Sequence, residues 1–385
     1  MRGRARVGAI LHECLRAVPD TQRLEALVAG ADLRALPAAA RRHGVGGSVW
    51  RALRTIDGVP GALLDALETQ HHEAAAVHLR SLGELAFLDA ALAGLDWIVV
   101  KGPVLTELCY REPGLRSGRD LDVIVPPAAF GDALAALERS GARMLDQNWR
   151  RLRDELRGQV HLRLPHGTAA DVHWHLLNHH RKPFSVPMDD LFRRARPVRL
   201  NGVEVHVLDA ADSLLHLALH AGVSGGRRLV WLKDIERAVA ADTPCWDEVV
   251  DRASQWRVAP LVAIMLATAR ATLHARVPAE ALRRLAPVRS RAATAAARLW
   301  PVARSAGGAS SPAALITRTA GRGPVRAAAL LANGVRLRGE GRAVRRRYGH
   351  VTLVPAGDCN ERTDYLAAVA ASGSTIHRGT SAAGT

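Results

Sequence analysis

The chain contains few residues of three kinds. Of its 385 residues, 4 are cysteine, 3 are lysine and 4% are aromatic. The cysteines lie far apart and form no CxxC pair, which argues against a disulfide framework and against a zinc knuckle. No apolar run reaches the roughly 18 residues of a membrane span, and the first one is shorter than the roughly 7–15 residues of a secretory signal. These absences favour a soluble protein of a reducing cytoplasm that has no membrane partner.

Positive charge is abundant and comes from arginine. The 53 basic residues against 37 acidic ones give a formal net charge of +16. Such an excess favours polyanionic partners such as nucleotides, nucleic acid or anionic surfaces, and it indicates no particular fold. Nine arginines and one acidic residue lie between Arg318 and Arg347. We interpret this stretch as a solvated basic face, with nucleic-acid binding as the less favoured alternative.

The hydrophobic pattern divides the chain into four regions. Helical spacing fills residues 1–95, strand and helix patterns alternate over 96–208, and helical spacing returns over 209–345. Residues 346–385 end in a Ser/Thr/Gly/Ala-rich segment, which is typical of a mostly flexible tail. The expected fold class is therefore α+β, in which a small mixed sheet is flanked by N-terminal and C-terminal helical regions.

Five stretches of the central region have strand patterns. They are Ile98–Val100, Leu121–Val125, Gln159–Leu164, Ala169–Leu176 and the edge strand Asn201–Leu208. A helix is expected from Pro103 to Tyr110, because proline suits the first turn of a helix.

Carboxylates begin one of these strands and occur inside another. Asp120 and Asp122 are two residues apart, so both should project from the same side of their strand. Such a pair is costly unless it shares a cation, and hard divalent cations take carboxylate ligands. Asp171 shares the polar face of a later strand with His173. Three carboxylates on adjacent strands are what two-metal phosphoryl or nucleotidyl transfer requires.

Basic and small residues precede the acidic pair in the sequence. Lys101 ends the first strand, and Gly102 lets the backbone approach a ligand at the start of the predicted helix, which favours a phosphate site. Arg116, Ser117 and Arg119 precede Asp120. They are candidates to bind phosphate oxygens, or, for the two arginines, to pair with the acids when no nucleotide is bound.

Together these motifs resemble a known family. The segments VVKGPVLTELCYREPGLRSGRDLDVIV, ADVHWHLL and LLHLALHAGVSGGRRLVWLKDIERAV are similar to the uncharacterised bacterial nucleotidyltransferases of the DNA polymerase β-like superfamily, over roughly residues 20–245. The resemblance implies transfer of an NMP from an NTP, with ATP the first choice, to an acceptor hydroxyl on a small natural product or a peptide or protein side chain. It also implies Mg²⁺ or Mn²⁺ as the cofactor.

The resemblance further implies roles for individual residues. Asp120, Asp122 and Asp171 correspond to the metal-binding and catalytic carboxylates, and Asp171 also corresponds to the activator of the acceptor hydroxyl. Lys101 and Gly102 correspond to the turn that faces the triphosphate. His173, on the face of Asp171, is a candidate for the acceptor side or for a supporting contact.

Two alternatives stay open. Pro103 stands where the superfamily has a phosphate-binding serine, so either Lys101 or Ser117 replaces that contact or the turn binds triphosphate poorly. The second case favours a non-catalytic module that holds a nucleotide or peptide. His216 and His220, at i and i+4, suggest zinc, but the HExxH glutamate is missing, which favours packed histidines.

Overall fold

The computed structural model describes residues 2–178, 184–226, 228–286, 343, 346, 349–351 and 360–374. The α-helices within these ranges are α1 (Arg2–Cys14), α2 (Thr21–Val28), α3 (Leu36–His43), α4 (Gly46–Leu53), α5 (Gly61–Ala91), α6 (Pro103–Leu105), α7 (Phe130–Arg139), α8 (Trp149–Glu155), α9 (Met188–Arg194), α10 (Ala210–Val223), α11 (Leu229–Ala241), α12 (Trp246–Gln255), α13 (Ala259–Leu273), α14 (Ala279–Leu285) and α15 (Asn360–Ser374). A π-helix, Thr106–Tyr110, follows α6, and a 3₁₀-helix, Pro127–Ala129, precedes α7.

Seven strands form one mixed sheet. They are β1 (Ile98–Val99), β2 (Asp120–Ile124), β3 (Arg143–Met144), β4 (Gln159–Arg163), β5 (Ala169–His173), β6 (Arg196–Leu200) and β7 (Val203–Val207). Their order is β3-β4-β5-β2-β1-β7-β6, with β2 parallel to β5 and β1 parallel to β7. The remaining neighbours are antiparallel. This mixed sheet with flanking helices confirms the α+β prediction.

The sheet corrects one strand prediction. The strand expected over Asn201–Leu208 is β7, but it lies between β1 and β6 and is not at an edge. The edge strand is β6, which the sequence did not reveal because it contains Pro197 and two arginines. Proline is tolerated in an edge strand, since no neighbour on the open side needs its missing N–H.

The described residues form two compact units. The first is drawn from Met1–Leu79, Leu105–Gly118 and Ala210–Leu330, and the second from Arg80–Val104, Arg119–Asp209 and Leu331–Thr385. All seven strands belong to the second unit. The four contiguous regions expected from the sequence stay a prediction.

Side-chain alternation gives the central strands β2, β4 and β5 two unlike faces. One face carries the polar residues Asp120, Asp122, Gln159, His161, Arg163, Asp171 and His173. The other carries Leu121, Val123, Val160, Leu162, Ala170 and Val172, each at most 1% exposed. Because burial of the apolar face fixes the register of these strands, it also fixes which polar groups meet on the opposite face.

A buried glutamate holds the β4–β5 hairpin. Glu84, in the part of α5 that belongs to the second unit, is fully buried. Its carboxylate accepts hydrogen bonds from the backbone N–H groups of His166 (3.0 Å) and Thr168 (3.3 Å). Gly167 lies between them with a φ of +90°, a conformation that favours glycine. The glutamate thus satisfies two donors of the turn that sets the β4–β5 pairing.

Helix α15 also packs within the second unit. Its Tyr365 is fully buried and donates a hydrogen bond from its hydroxyl to the carbonyl of Arg157 (2.7 Å). The Tyr365 ring lies against Phe130 and Trp149, with centroid distances of 6.2 and 6.0 Å. Residues 360–374 are therefore a packed helix within the predicted tail, and the tail as a region stays a prediction. Most of the tail and of the basic stretch between Arg318 and Arg347 lies outside the described residues.

The first unit is helical where it is described. Helices α10 and α13 are buried along most of their length, and α11 buries one side against them. Among the described helices, none has the length and apolar character required to cross a membrane.

Candidate functional site

Three potential metal ligands meet on the polar face of the sheet. The parallel register places Asp122 opposite Asp171, and His173 follows Asp171 by two residues on the same face. One ligand atom from each of the three residues lies within 4.8 Å of the others. All three residues are buried, at 3%, 6% and 7% exposure. Two carboxylates and an imidazole in this arrangement can bind one divalent cation.

Asp122 has cationic and imidazole partners. Lys101 Nζ lies 3.0 Å from its Oδ1, and Nε2 of His173 donates a hydrogen bond to the same oxygen (3.0 Å). The backbone N–H of Val100 also donates to the carbonyl of Asp122 (3.2 Å), which ties the end of β1 to β2. Burial raises the pKa of Asp122, but the Lys101 ammonium and His173 outweigh burial and hold that pKa below its ordinary range. Asp122 is therefore ionised and ready to bind a cation.

The carboxylate of Asp171 is held from the neighbouring strand β4. Gln159 donates from Nε2 to its Oδ2 (2.6 Å), and Nδ1 of His161 contacts its Oδ1. The antiparallel register explains both contacts, because His161 lies opposite Asp171 and Gln159 lies opposite His173. The hydrogen bond to Asp171 raises the pKa of His161 above its ordinary value. Two side chains thus fix the orientation of Asp171.

Gln159 and His161 were not among the predicted site residues, although the strand pattern contains a signal for them. The strands predicted over Gln159–Leu164 and Ala169–Leu176 are joined by only four residues. Counting outward from this short connection places residue 161 beside residue 171, with which the register pairs it. Asp146 was also missed, and it had no such signal, because it lies in an irregular segment.

Asp146 supports the same hairpin from a buried position. Its Oδ2 accepts a hydrogen bond from the backbone N–H of His161 (3.1 Å), while Oδ1 has no hydrogen-bond partner among the described residues. The residue is fully buried, and this burial raises the pKa of Asp146. His161 is therefore contacted by carboxylates on two sides, Asp171 and Asp146.

The second acid of the predicted pair lies apart from the cluster of ligand atoms. Asp120 is the exposed first residue of β2, opposite Ala169, and the group of atoms within 4.8 Å does not include it. Arg119 is also exposed. Their expected roles stay predictions.

The turn after β1 differs from a simple phosphate loop. Gly102 has a φ of +59°, and a Cβ built there would lie 3.4 Å from the carbonyl oxygen of Asp120. Pro103 has no N–H, and the N–H of Val104 donates to the carbonyl of Lys101 (3.3 Å). The first two residues of α6 thus offer no open backbone donor to a phosphate.

The structure places Arg116 and Ser117 in the first unit. The guanidinium of Arg116 forms a bidentate pair with Asp234 of α11, with N–O distances of 2.8 and 3.1 Å. The hydroxyl of Tyr110 donates to the same carboxylate (2.8 Å), and burial followed by the Asp234 charge raises the pKa of Tyr110. The backbone N–H of Ser117 donates to the carbonyl of Gly44 (3.3 Å). Arg116 therefore pairs with Asp234, whereas the sequence suggested the acidic pair of β2.

The zinc alternative gains no support from the described residues. His216 and His220 lie on α10 with ring centroids 6.4 Å apart, and the ring of His220 packs edge-on against Trp231. Neither belongs to a group of three potential metal ligands in the part of the chain that the structure describes. Two further histidines that follow β5 in the sequence, His179 and His180, lie outside the described residues.

Comparisons with known proteins identify a family. A family model described as uncharacterised nucleotidyltransferase matches residues 29–274, which is more than half of the chain. No curated protein and no solved structure matches the chain.

Proposed function

Since the chain belongs to the family of uncharacterised nucleotidyltransferases, we propose that it transfers an NMP from an NTP to an acceptor hydroxyl in a metal-dependent reaction. The observation that carries this proposal is the buried group of Asp122, Asp171 and His173 on the sheet. ATP is the first candidate for the nucleotide. The acceptor is a small natural product or a peptide or protein side chain, and pyrophosphate leaves.

The donor chemistry of the buried group fits a divalent cation. Asp122 and Asp171 contribute carboxylate oxygens of hard-ligand character, and Asp120 at the start of β2 is the third carboxylate proposed to contribute. When bound, Mg²⁺ or Mn²⁺ would supply Lewis-acid charge neutralisation at the phosphates and a more acidic acceptor hydroxyl.

The residues of the chain orient and neutralise the reacting groups. Gln159 and His161 hold the carboxylate of Asp171, which we propose accepts the proton of the acceptor hydroxyl. Lys101 lies beside Asp122, and we propose that its ammonium neutralises a phosphate bound at the cluster. The remaining proposed phosphate contacts are Gly102, Arg116, Ser117 and Arg119. We propose that His173 lies on the acceptor side or supports the carboxylates.

The test follows the nucleotide and the pyrophosphate separately. Purified protein is incubated with each α-labelled NTP, Mg²⁺ or Mn²⁺ and candidate acceptors, and both label transfer and pyrophosphate release are measured. We expect Asp122→Asn and Asp171→Asn to reduce both by about 10²-fold or more, because each substitution removes a charge that the transition state requires.

Asp132 provides the matched control. It is an exposed aspartate of α7 in the same unit, so Asp132→Asn makes the same chemical change away from the cluster. Its activity should equal that of the wild type. Wild-type release of pyrophosphate that survives both cluster substitutions would contradict the proposed reaction.

One observation favours a second function, a non-catalytic module that binds a nucleotide or peptide. Pro103 and Val104 offer no open backbone donor, and the Lys101 ammonium is paired with Asp122. A site of this kind can bind an NTP without turnover. Calorimetry together with the pyrophosphate assay separates the two functions. Calorimetry would show that the module binds an NTP, and the assay would show no pyrophosphate, whereas the enzyme would release it.

A further inference from the structure

The chemistry of the buried cluster is mixed, with two oxygen donors and one nitrogen donor. Asp122 and Asp171 are opposed on β2 and β5, and His173 is the next residue of β5 on the same face. Period-two alternation therefore presents the imidazole beside the carboxylates, and its nitrogen lies within the same 4.8 Å group. The third donor that the fold brings to this centre is thus a histidine.

Mg²⁺ and transition metals differ in their response to such a donor. Mg²⁺ requires near-octahedral oxygen coordination and keeps several waters, whereas imidazole is a favoured ligand of Zn²⁺ and related transition metals. We propose that His173 is a metal ligand and that the centre binds a transition metal that accepts imidazole nitrogen, such as Mn²⁺ or Zn²⁺, in preference to Mg²⁺.

The contacts of His161, His173 and His175 support the assignment to His173. Its ring reaches into the cluster, where Nε2 lies 3.0 Å from Asp122 Oδ1. Coordination through Nε2 requires that its proton moves to Nδ1 or to solvent, so that the nitrogen lone pair faces the metal. His175, which is similarly buried, uses Nδ1 to accept a hydrogen bond from the backbone N–H of Leu177 (3.0 Å). His161 points Nδ1 at Asp171 from the neighbouring strand and is more than one-third exposed at its side chain. Of the three, His173 belongs to the group of mutually close ligand atoms.

A purely structural role gives a different expectation. If His173 only orients Asp122 through their hydrogen bond, the bound metal has no nitrogen ligand and the cluster behaves as an oxygen site. Any preference for Mn²⁺ and Zn²⁺ over Mg²⁺ would then be independent of the histidine.

The inference rests on the proposed function for the presence of a metal, and its test requires no turnover. The full chain is titrated with Mn²⁺, Zn²⁺ and Mg²⁺ by calorimetry. The Mn²⁺ form is then examined by pulsed electron paramagnetic resonance for coupling to a directly bound ¹⁴N nucleus. We expect that coupling in the wild type, and affinities for Mn²⁺ and Zn²⁺ at least about tenfold higher than for Mg²⁺.

Variants identify the nitrogen. His173→Gln should lose the coupling and weaken Mn²⁺ binding by roughly tenfold while Mg²⁺ binding changes little. His206→Gln, an exposed residue of β7, should keep both. Absence of nitrogen coupling in the wild type, its persistence in His173→Gln, or its loss only in His161→Gln would overturn the assignment. If His173→Gln fails to fold, the wild-type spectrum still decides whether a nitrogen is bound.

The two proposals fail separately. Nitrogen coupling without pyrophosphate release would support the metal assignment and contradict the proposed transfer. Pyrophosphate release with Mg²⁺ and no nitrogen coupling to Mn²⁺ would support the transfer and overturn the metal assignment.

Discussion

The ammonium of Lys101 and the carboxylate of Asp122 are both largely removed from water, with side chains 11% and 4% exposed. Breaking such a pair leaves one charge buried without its partner, and the cost is then set by desolvation. Replacing both members removes the buried charges together. The effect of losing Lys101 on stability therefore depends on whether another cation neutralises Asp122.

We expect Lys101→Met to lower the free energy of unfolding of the metal-free protein by about 3–5 kcal/mol, because the buried Asp122 carboxylate stays charged without the Lys101 ammonium. The double variant Lys101→Met/Asp122→Asn should be less destabilised than Lys101→Met. Urea unfolding of the wild type, both single variants and the double variant measures the coupling.

Adding Mn²⁺ extends the same prediction. A divalent cation at the cluster supplies the charge that Lys101→Met removes, so Mn²⁺ should stabilise this variant more than it stabilises the wild type. Equal stabilisation of the two proteins would mean that Lys101 and the metal act at different places.

Among the elements, helix α15 is held against the rest of the second unit in part by a single aromatic side chain, although the composition of this segment does not predict a packed helix. The Nε1–H of Trp174 donates to the carbonyl of Arg157 (2.7 Å) and lies 3.3 Å from the hydroxyl of Tyr365. Tyr365 donates to the same carbonyl, so α15 is tied to the residues that flank β4 and β5. The helix therefore contributes to the apolar side of the unit that carries the cluster.

We expect Tyr365→Ala to destabilise the protein by about 3–5 kcal/mol, since it empties a fully buried aromatic site. Tyr365→Phe should cost only about 1 kcal/mol, because the ring stays and the hydrogen bond to Arg157 is lost. Thr363→Ala, at an exposed position of the same helix, serves as the control. Thermal unfolding followed by tryptophan fluorescence gives all three values, and equal stability of Tyr365→Ala and Thr363→Ala would contradict the packing of α15.

The elements that could be predicted from the sequence are those whose pattern is local. Alternation in β5 places Asp171 and His173 on one side and Val172 on the other, and that expectation agrees with the register. Strand β6 and helix α15 could not be predicted, because an edge strand with a proline and a helix in an alanine-rich tail are stabilised by tertiary partners. The partners of Arg116 and Asp122 likewise depend on residues distant in sequence.

For the whole molecule, the distribution of charge separates the candidate acceptors. The formal excess is +16, and half of it comes from the stretch between Arg318 and Arg347, with nine arginines and one acid. If the basic stretch served to bind nucleic acid, each phosphate contact would add to a steep dependence on salt. Binding of a small hydroxyl-bearing acceptor involves no series of phosphate contacts, so it should depend little on salt.

We therefore expect label transfer to a small acceptor to change by less than about threefold between 50 and 200 mM salt, whereas binding to a nucleic acid through several phosphates falls by about 10³-fold or more over this range. The measurement pairs pyrophosphate release with the affinity for a labelled duplex, for the wild type and for a variant with the nine arginines changed to glutamine. The variant should keep the activity of the wild type, because the carboxylates of the cluster are unchanged. A loss of activity in this variant, or activity that requires nucleic acid and collapses with salt, would instead make nucleic acid the acceptor, since the basic stretch would then be holding the substrate.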